Sequence, residues 1–128
     1  MKRCMIVDDS SVIRKVAKRI LSSPQLLVSE ASSATEAIYM CEADMPDVIV
    51  LDTTLPDMDP VDFIRQALAI EAKVKPQIVV CLTQFDIGTI MRAKRAGAKG
   101  YILKPFNRQL LVDRFRSMDL LEPAAEAS

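Results

Sequence analysis

Five polar side chains each stand directly after a short run of apolar residues: Asp8 and Asp9, Asp52, Thr83 and Lys104. A single carboxylate in such a place is commonly only a helix cap or a turn residue. Three carboxylates brought close together would repel one another, and one lysine cannot compensate all of them, so a divalent cation is their natural partner. Few ligands, all of them oxygen, favour Mg²⁺. A metal beside an aspartate, a lysine and a hydroxyl group can support phosphoryl transfer, with a carboxylate as the nucleophile.

The elements that must position these side chains form a regular alternation. Residues 48–51, directly before Asp52, are all β-branched or aliphatic and do not alternate with polar residues, which is typical of a strand buried on both faces of a parallel sheet. Such runs alternate with helical segments five times, which predicts the α/β class and a doubly wound (βα)5 fold. The predicted strands begin at or cover 4–7, 26–28, 48–51, 77–82 and 101–103; the predicted helices cover about 12–21, 34–43, 61–72, 87–96 and from 108 onward.

The strand order decides whether the five polar side chains meet. In an open parallel sheet, ligands bind beyond the carboxyl ends of the strands, at the point where the strand order reverses. We predict a five-stranded parallel sheet of the flavodoxin-like order 2-1-3-4-5, in which the first and third strands flank that point. The three carboxylates, the hydroxyl group and the ammonium group then converge on one small area.

Local signals predict where the helices begin and which residues they bury. Ser33 and Glu36 have the spacing of a capping box. Asp86 and Asn107 can cap the two following helices, and Gly97 stands where a left-handed C-terminal residue is expected. The predicted core stripes are Val12, Ile13, Val16, Ala17, Ile20 and Leu21 in the first helix, and Leu110, Leu111, Phe115 and Met118 in the last.

Composition excludes several function classes. The 128 residues fit one domain, predicted over 1–121 with a flexible C-terminal tail at 122–128. The chain has no histidine, so it has no Ser-His-Asp site and no histidine-ligated metal. Its three cysteines are expected to be reduced and structural. Seventeen basic residues balance seventeen acidic ones, and the apolar runs are short, so we expect a cytoplasmic protein that binds neither nucleic acid nor a membrane.

The sequence resembles the receiver domains of two-component response regulators, in the single-domain style of CheY, over about residues 2–118. The resemblance rests on four features: VDDS at 7–10, PDVIVLDTTLPDMD at 46–59, the strand end at Thr83, and AGAKGYILKPF at 96–106. It implies a bacterial signalling protein that accepts a phosphoryl group from a phosphohistidine on a histidine kinase or a phosphotransfer protein.

The resemblance also implies a role for each site residue. Asp52 would be the phosphoacceptor. Mg²⁺ would be held by Asp9 directly, by Asp8 directly or through water, by Asp52, and by the backbone carbonyl of Thr54. Lys104 would pair with the phosphoryl group.

The same resemblance implies a conformational switch. Thr83 would donate its hydroxyl to the phosphoryl group, and Tyr101 would swing inward as Thr83 moves. The Lys104-Pro105 peptide bond would be cis. The fourth helix, fifth strand and fifth helix would then present a changed surface to a protein partner. No output domain is expected, and the chain would assist its own phosphorylation and dephosphorylation without being an enzyme.

Three places depart from the usual receiver pattern. Pro60 stands where glycine is common, so the preceding loop must take another path, with Pro60 in the first turn of the next helix. Gln84 stands where a small residue is usual. Thr54 and Phe85 occupy the two places that tune access of water to the phosphoryl group. Our hypothesis is that Gln84 and Phe85 shield the acyl phosphate, and we otherwise expect Phe85 and Phe106 to be packing residues.

Other functions remain open from the residues. An aspartate-nucleophile phosphatase would want a second aspartate at position 54, where Thr54 stands. A flavodoxin-like electron carrier would need a Ser/Thr/Gly-rich phosphate loop, whereas DDSSV at 8–12 is acidic. A receiver-like interaction module that is never phosphorylated stays open because of the loop departures, although the intact set argues against it: Asp8, Asp9, Asp52, Thr83 and Lys104. The basic residues of the first helix form either a solvated face or a docking surface for a kinase: Arg14, Lys15, Lys18 and Arg19.

Overall fold

The chain folds as an alternation of five strands and five helices. The computed structural model describes residues 2–121, so the predicted flexible tail at 122–128 lies outside the described residues. The strands are β1 (Lys2–Val7), β2 (Leu26–Ala31), β3 (Val48–Asp52), β4 (Gln77–Leu82) and β5 (Gly100–Leu103). The helices are α1 (Ser11–Leu21), α2 (Ala34–Ala43), α3 (Pro60–Ala69), α4 (Ile87–Ala96) and α5 (Arg108–Ser117).

All five strands form one parallel sheet in the order β2-β1-β3-β4-β5, as predicted. Every residue of β3 is buried, which explains its unbroken apolar run. The two edge strands each leave one leucine exposed, Leu27 in β2 and Leu103 in β5. The register pairs Val7 with Leu51 and sets the end of β3 beside β4, so the carboxyl ends of the central strands lie together.

The sheet separates two apolar layers, because successive strand residues point to opposite faces. In β1, Met5 and Val7 pack into the layer with α2, α3 and α4, which contains the fully buried Phe63. Cys4 and Ile6 pack into the layer with α1 and α5, which contains Phe115. All three cysteines are buried and free, as expected from the sequence.

Each helix begins at a side-chain cap. Asp86 and Asn107 cap α4 and α5 as predicted, and Gly97 ends α4 with a φ of 122°. Ser33 accepts from the backbone N–H of Glu36 at 3.1 Å, whereas the Glu36 carboxylate bonds the preceding Ser32 rather than Ser33. This is half of the predicted capping box.

Pro60 is the first residue of α3, and Asp59 caps that helix by accepting from the Val61 N–H at 2.9 Å. The predicted position of Pro60 in the first turn of this helix is therefore confirmed. The predicted end of α3 near residue 72 is wrong, because the helix stops at Ala69 and Ile70 is extended. Lys75 Nζ donates to the Ile70 carbonyl at 2.7 Å and satisfies that terminus.

Two predicted core stripes are too wide. In α1, Val12 is 68% exposed and Val16 is 36% exposed. In α5, Leu110 is 54% exposed. Each of these residues directly precedes a more buried one and is turned about 100° from it around the helix axis. It therefore lies at the solvent edge of the apolar stripe. The residues that do pack into the core are Ala17, Ile20 and Leu21 in α1, and Leu111, Phe115 and Met118 in and beside α5, while Ile13 is half-buried.

Candidate functional site

The carboxyl ends of four strands carry the polar side chains that the sequence singled out. Asp8 and Asp9 follow β1, Asp52 is the last residue of β3, Thr83 follows β4, and Lys104 follows β5. Since β1 and β3 are neighbours although β2 lies between them in sequence, the strand order reverses there. The site therefore lies at the predicted position in the fold.

The three aspartates form one acidic cluster. Carboxylate oxygens of Asp8, Asp9 and Asp52 all lie within 4.8 Å of one another. Asp8 and Asp52 are only 2% and 3% exposed, whereas Asp9 faces solvent. An all-oxygen cluster of this kind, with two members buried and one open to water, matches the ligand set that Mg²⁺ prefers.

Lys104 supplies the positive charge within this cluster. Its Nζ lies 2.9 Å from Asp8 Oδ2 and 3.4 Å from Asp52 Oδ1. Burial alone would lower the pKa of Lys104, but the hydrogen bond with Asp8 and the charge of Asp52 outweigh it and raise the pKa above its usual value. Lys104 is therefore an ammonium ion at neutral pH. The Lys104-Pro105 peptide bond is cis, as predicted.

Asp8 is held on both sides. Its Oδ1 accepts from the Ser10 N–H at 2.8 Å, while Oδ2 accepts from Lys104. Its backbone carbonyl accepts from Arg14 Nη1 at 2.6 Å, and Arg14 Nε also pairs with Glu30 Oε1 at 3.1 Å. Arg14 is thus a structural support of the site, which the sequence did not indicate. The interpretation of residues 14–19 as only a solvated or docking face is wrong for this residue.

Two other cations of α1, Lys15 and Lys18, share the same acceptor. Lys15 Nζ lies 2.9 Å from Glu30 Oε2, and Lys18 Nζ lies 3.9 Å from it. The Lys15 hydrogen bond is the largest influence that lowers the pKa of Glu30, with Arg14 and Lys18 acting in the same direction. Much of the basic character of this helix is therefore paired with β2.

Asp52 is oriented through one of its two oxygens. Oδ1 accepts from the Thr54 N–H at 3.1 Å and from the Thr54 hydroxyl at 3.0 Å, and it also faces Lys104. Oδ2 has no hydrogen-bond partner among residues 2–121. No fully enclosed side-chain oxygen or nitrogen in that range lacks a partner, so Oδ2 keeps some contact with solvent, although Asp52 as a whole is only 3% exposed.

Cys81 pairs with Asp52 in the register of β3 and β4. Burial raises the pKa of its thiol to about 12, although the nearby charge of Lys104 acts against this. A neutral thiol is a weak nucleophile, so Cys81 is a poor candidate for nucleophilic chemistry at this strand end.

Thr83 lines a cleft of about 750 Å³ between the loop after β3 and the loop after β4. Thr54, Gln84 and Phe85 line the same cleft, so all the residues predicted to control access to Asp52 share one opening. Thr83 is exposed, and its hydroxyl donates no hydrogen bond to the described residues. The structure therefore brings Thr83 to the cleft, and its role as a donor to a phosphoryl group stays a prediction.

Tyr101 lies half-buried between two neighbours. The Phe85 ring meets it edge-on, with 5.7 Å between ring centroids and 72° between ring planes. Arg114 places its guanidinium carbon 4.6 Å from the centroid of the Tyr101 ring and donates two hydrogen bonds to the Tyr101 carbonyl. Phe85 is 57% exposed, so the expectation that it is a packing residue is wrong as far as burial is concerned. Phe106 does pack, against the layer of α1 and α5.

Comparison with known proteins agrees with this geometry. The sequence profile of the response regulator receiver domain matches residues 4–116. The chain is 33% identical to the chemotaxis protein CheY of Thermotoga maritima, over 88% of this chain and 92% of that protein. It is 31% identical to CheY of Listeria monocytogenes, over 98% of this chain and all of that protein. The high-resolution structure of the chemotaxis response regulator CheY4 of Vibrio cholerae superposes with a TM-score of 0.82 at 26% identity, covering 92% of this chain and 98% of that one.

The chain belongs to the response regulator receiver domain family. It is a CheY-like receiver with the strand order of that fold, and it functions in two-component signalling. In the part of the chain that the structure describes, no helix is both long enough and apolar enough to cross a membrane.

Proposed function

We propose that this chain is a single-domain response regulator, with residues 1–121 as the receiver, that accepts a phosphoryl group on Asp52 in a Mg²⁺-dependent reaction. One observation carries the proposal: the oxygens of Asp8, Asp9 and Asp52 lie within 4.8 Å of one another, and Lys104 contacts two of these residues. One ammonium ion leaves two of the three negative carboxylate charges uncompensated, and one divalent cation would balance them.

Asp52 acts as the nucleophile through Oδ2. Oδ1 accepts from Thr54 and faces Lys104, whereas Oδ2 has no hydrogen-bond partner among the described residues and keeps some contact with solvent. Oδ2 forms a bond to the phosphorus of a phosphohistidine, the phosphorus–nitrogen bond breaks, and the electron pair leaves with the imidazole, which takes up a proton. The product is an acyl phosphate on Asp52. The donor is a histidine kinase or a phosphotransfer protein, and we place the chain with it in the cytoplasm.

Mg²⁺ would be held by Asp8, Asp9, Asp52 and the backbone carbonyl of Thr54. When bound, it supplies positive charge for the phosphoryl oxygens. The Lys104 ammonium group compensates the negative charge of the same phosphoryl oxygens from the β5 side. Asp8 and Asp52 keep Lys104 protonated.

The switch connects this site to a partner surface. The Thr83 hydroxyl turns towards the new phosphoryl group, and Tyr101 moves inward beside it. The surface formed by α4, β5 and α5 then changes, and a protein partner that prefers the changed surface draws the population towards it. Gln84 and Phe85 line the same cleft as Thr83 and Thr54. We propose that they slow the approach of water to the acyl phosphate from this side. The chain is in this account a switch, with no nucleic-acid or membrane partner.

The test is phosphorylation by a small donor. The protein is incubated with acetyl phosphate and Mg²⁺ and its intact mass is measured. Wild type and the exposed control Asp113→Asn are expected to gain one phosphoryl group, and Asp52→Asn is expected to gain none. A wild-type chain that gains nothing at any Mg²⁺ concentration would favour an interaction module that is never phosphorylated.

A further inference from the structure

The loop between β3 and α3 is tied to the start of α2 by a single side chain. Asp57 Oδ1 accepts from the Ala34 N–H at 3.2 Å. Asp57 Oδ2 accepts from the Thr35 N–H and from the Thr35 hydroxyl, both at 2.8 Å. The Thr35 backbone bond is the largest of the influences that lower the pKa of Asp57. Asp57 is exposed, so these three bonds, rather than burial, hold it against α2.

This tie is separate from the cap that α2 carries in its own sequence. Ser33 accepts from the Glu36 N–H at 3.1 Å, as an ordinary N-cap residue does. Asp57 accepts hydrogen bonds from the N–H groups of Ala34 and Thr35, which the Ser33 side chain leaves unsatisfied. The Asp57 bonds span 22 and 23 residues of sequence, so they fix the position of the loop as well as the helix end.

The loop in question carries a proposed ligand of the metal. Thr54 binds Asp52 through its N–H and hydroxyl, three residues before Asp57. Leu55, between them, is 6% exposed and packs into the core. After Asp57, the chain enters α3 at Pro60, which has no N–H to donate. The start of the loop is fixed by the sheet, because the Thr53 N–H donates to the Cys81 carbonyl of β4 at 3.2 Å. Beyond it, within the described residues, Asp57 is the side chain whose hydrogen bonds tie residues 55–59 to another element.

We propose that Asp57 is a positioning residue, which holds the loop after β3 in the path that directs the Thr54 carbonyl to the metal. The inference rests on the proposed function, because it assigns a task to a loop of that same site. Outer-shell partners of metal ligands commonly contribute 10- to 100-fold in affinity. We expect loss of the Asp57 tie to weaken Mg²⁺ binding about 10-fold, the lower end of that range, since the ligand here is a backbone carbonyl.

The experiment measures the Mg²⁺ dissociation constant of the full chain by isothermal titration calorimetry. Asp57→Ala is expected to weaken binding about 10-fold, and Thr35→Val, which removes one of the three bonds without changing charge, about 3-fold. Ser33→Ala removes the other cap of the same helix and is expected to leave the dissociation constant unchanged. Asp62→Asn, an exposed acid in the first turn of α3, measures the effect of one lost negative charge.

Amide hydrogen exchange without Mg²⁺ gives a second readout. Residues 53–59 are expected to exchange faster in Asp57→Ala and Thr35→Val than in wild type, and unchanged in Ser33→Ala. The inference is overturned if Asp57→Ala weakens Mg²⁺ binding no more than Asp62→Asn. A wild-type chain that binds no Mg²⁺ would contradict the proposed function instead. In that case, hydrogen exchange of residues 53–59 that is unchanged in Asp57→Ala would also show that Asp57 does not hold the loop.

Discussion

Replacing Asp52 by asparagine should stabilise the metal-free protein, although it removes an ion-pair partner of Lys104. Asp52 lies within 4.8 Å of both Asp8 and Asp9, which corresponds to a repulsion of about 3.5 kcal/mol for each pair at an effective dielectric constant of about 20. Its contact with Lys104 at 3.4 Å corresponds to an attraction of about 5 kcal/mol on the same scale.

The two repulsions exceed the attraction by about 2 kcal/mol. Water around the exposed Asp9 weakens the repulsion between Asp9 and Asp52. Burial of Asp52 acts in the opposite direction, because it adds a penalty on the charged form of this carboxylate. Asparagine keeps an oxygen that can accept from Thr54. We therefore expect Asp52→Asn to raise the free energy of unfolding by about 2 kcal/mol when no divalent cation is present.

The assay is urea unfolding followed by circular dichroism in the presence of EDTA. A gain of about 2 kcal/mol moves the midpoint up by about 1 M urea. Asp113→Asn, an exposed aspartate on α5, should leave the midpoint unchanged. Saturating Mg²⁺ should stabilise wild type more than Asp52→Asn, so the difference between their urea midpoints should become smaller. A midpoint for Asp52→Asn below that of wild type in EDTA, at equal slope, would refute the reasoning, because pairing with Lys104 would then outweigh the repulsion.

Three further predictions concern the surroundings of the site. Glu30→Gln should cost about 1 kcal/mol of stability at pH 7. Because the folded pKa of Glu30 lies below 4.5, this stabilisation is complete above pH 4.5 and is lost as the pH falls through the folded pKa. The difference in free energy of unfolding between wild type and Glu30→Gln should therefore be smaller at pH 3 than at pH 7. Phe85→Ala should shorten the lifetime of the phosphorylated protein, measured by intact mass after the donor is removed, and an unchanged or longer lifetime would dismiss shielding by this ring. Gly97→Ala should cost about 1–2 kcal/mol in urea unfolding, because φ is 122° and a Cβ would lie 2.5 Å from a leucine carbon. Gly88→Ala in α4, where φ is not positive and a Cβ would lie 3.3 Å from side-chain atoms of Asp86 and Arg92, is the control and should cost less than Gly97→Ala.

The elements that sequence predicted best are those with local signals at both ends. The bounds of α2 match the prediction because Ser33 caps its start. The strand at 77–82 matches because residues 78–82 form an unbroken apolar run. The end of α3 was not predictable in this way, because it depends on a bond from Lys75, which lies five residues beyond Ile70.

In the site, too, some features could be predicted from local sequence signals and others depend on contacts between distant residues. Strand order and the polar residues at strand ends sufficed to bring Asp8, Asp9, Asp52 and Lys104 together. The supports of the site could not be predicted, because each joins residues that are far apart in sequence and follows no period: Arg14 with Glu30, Asp57 with Thr35, and Arg114 with Tyr101. Exposed positions such as Phe85 also escaped prediction, since an aromatic residue in a loop indicates burial only on average.

The most direct test of the central claim is the identity of the phosphorylated residue. After incubation with acetyl phosphate and Mg²⁺, borohydride reduction converts an acyl phosphate on aspartate to homoserine, which tandem mass spectrometry of the digested protein can locate. The account predicts homoserine at position 52 and nowhere else, and none when Mg²⁺ is withheld. Homoserine at Asp8, Asp9 or another acid, or equal yield without Mg²⁺, would contradict it.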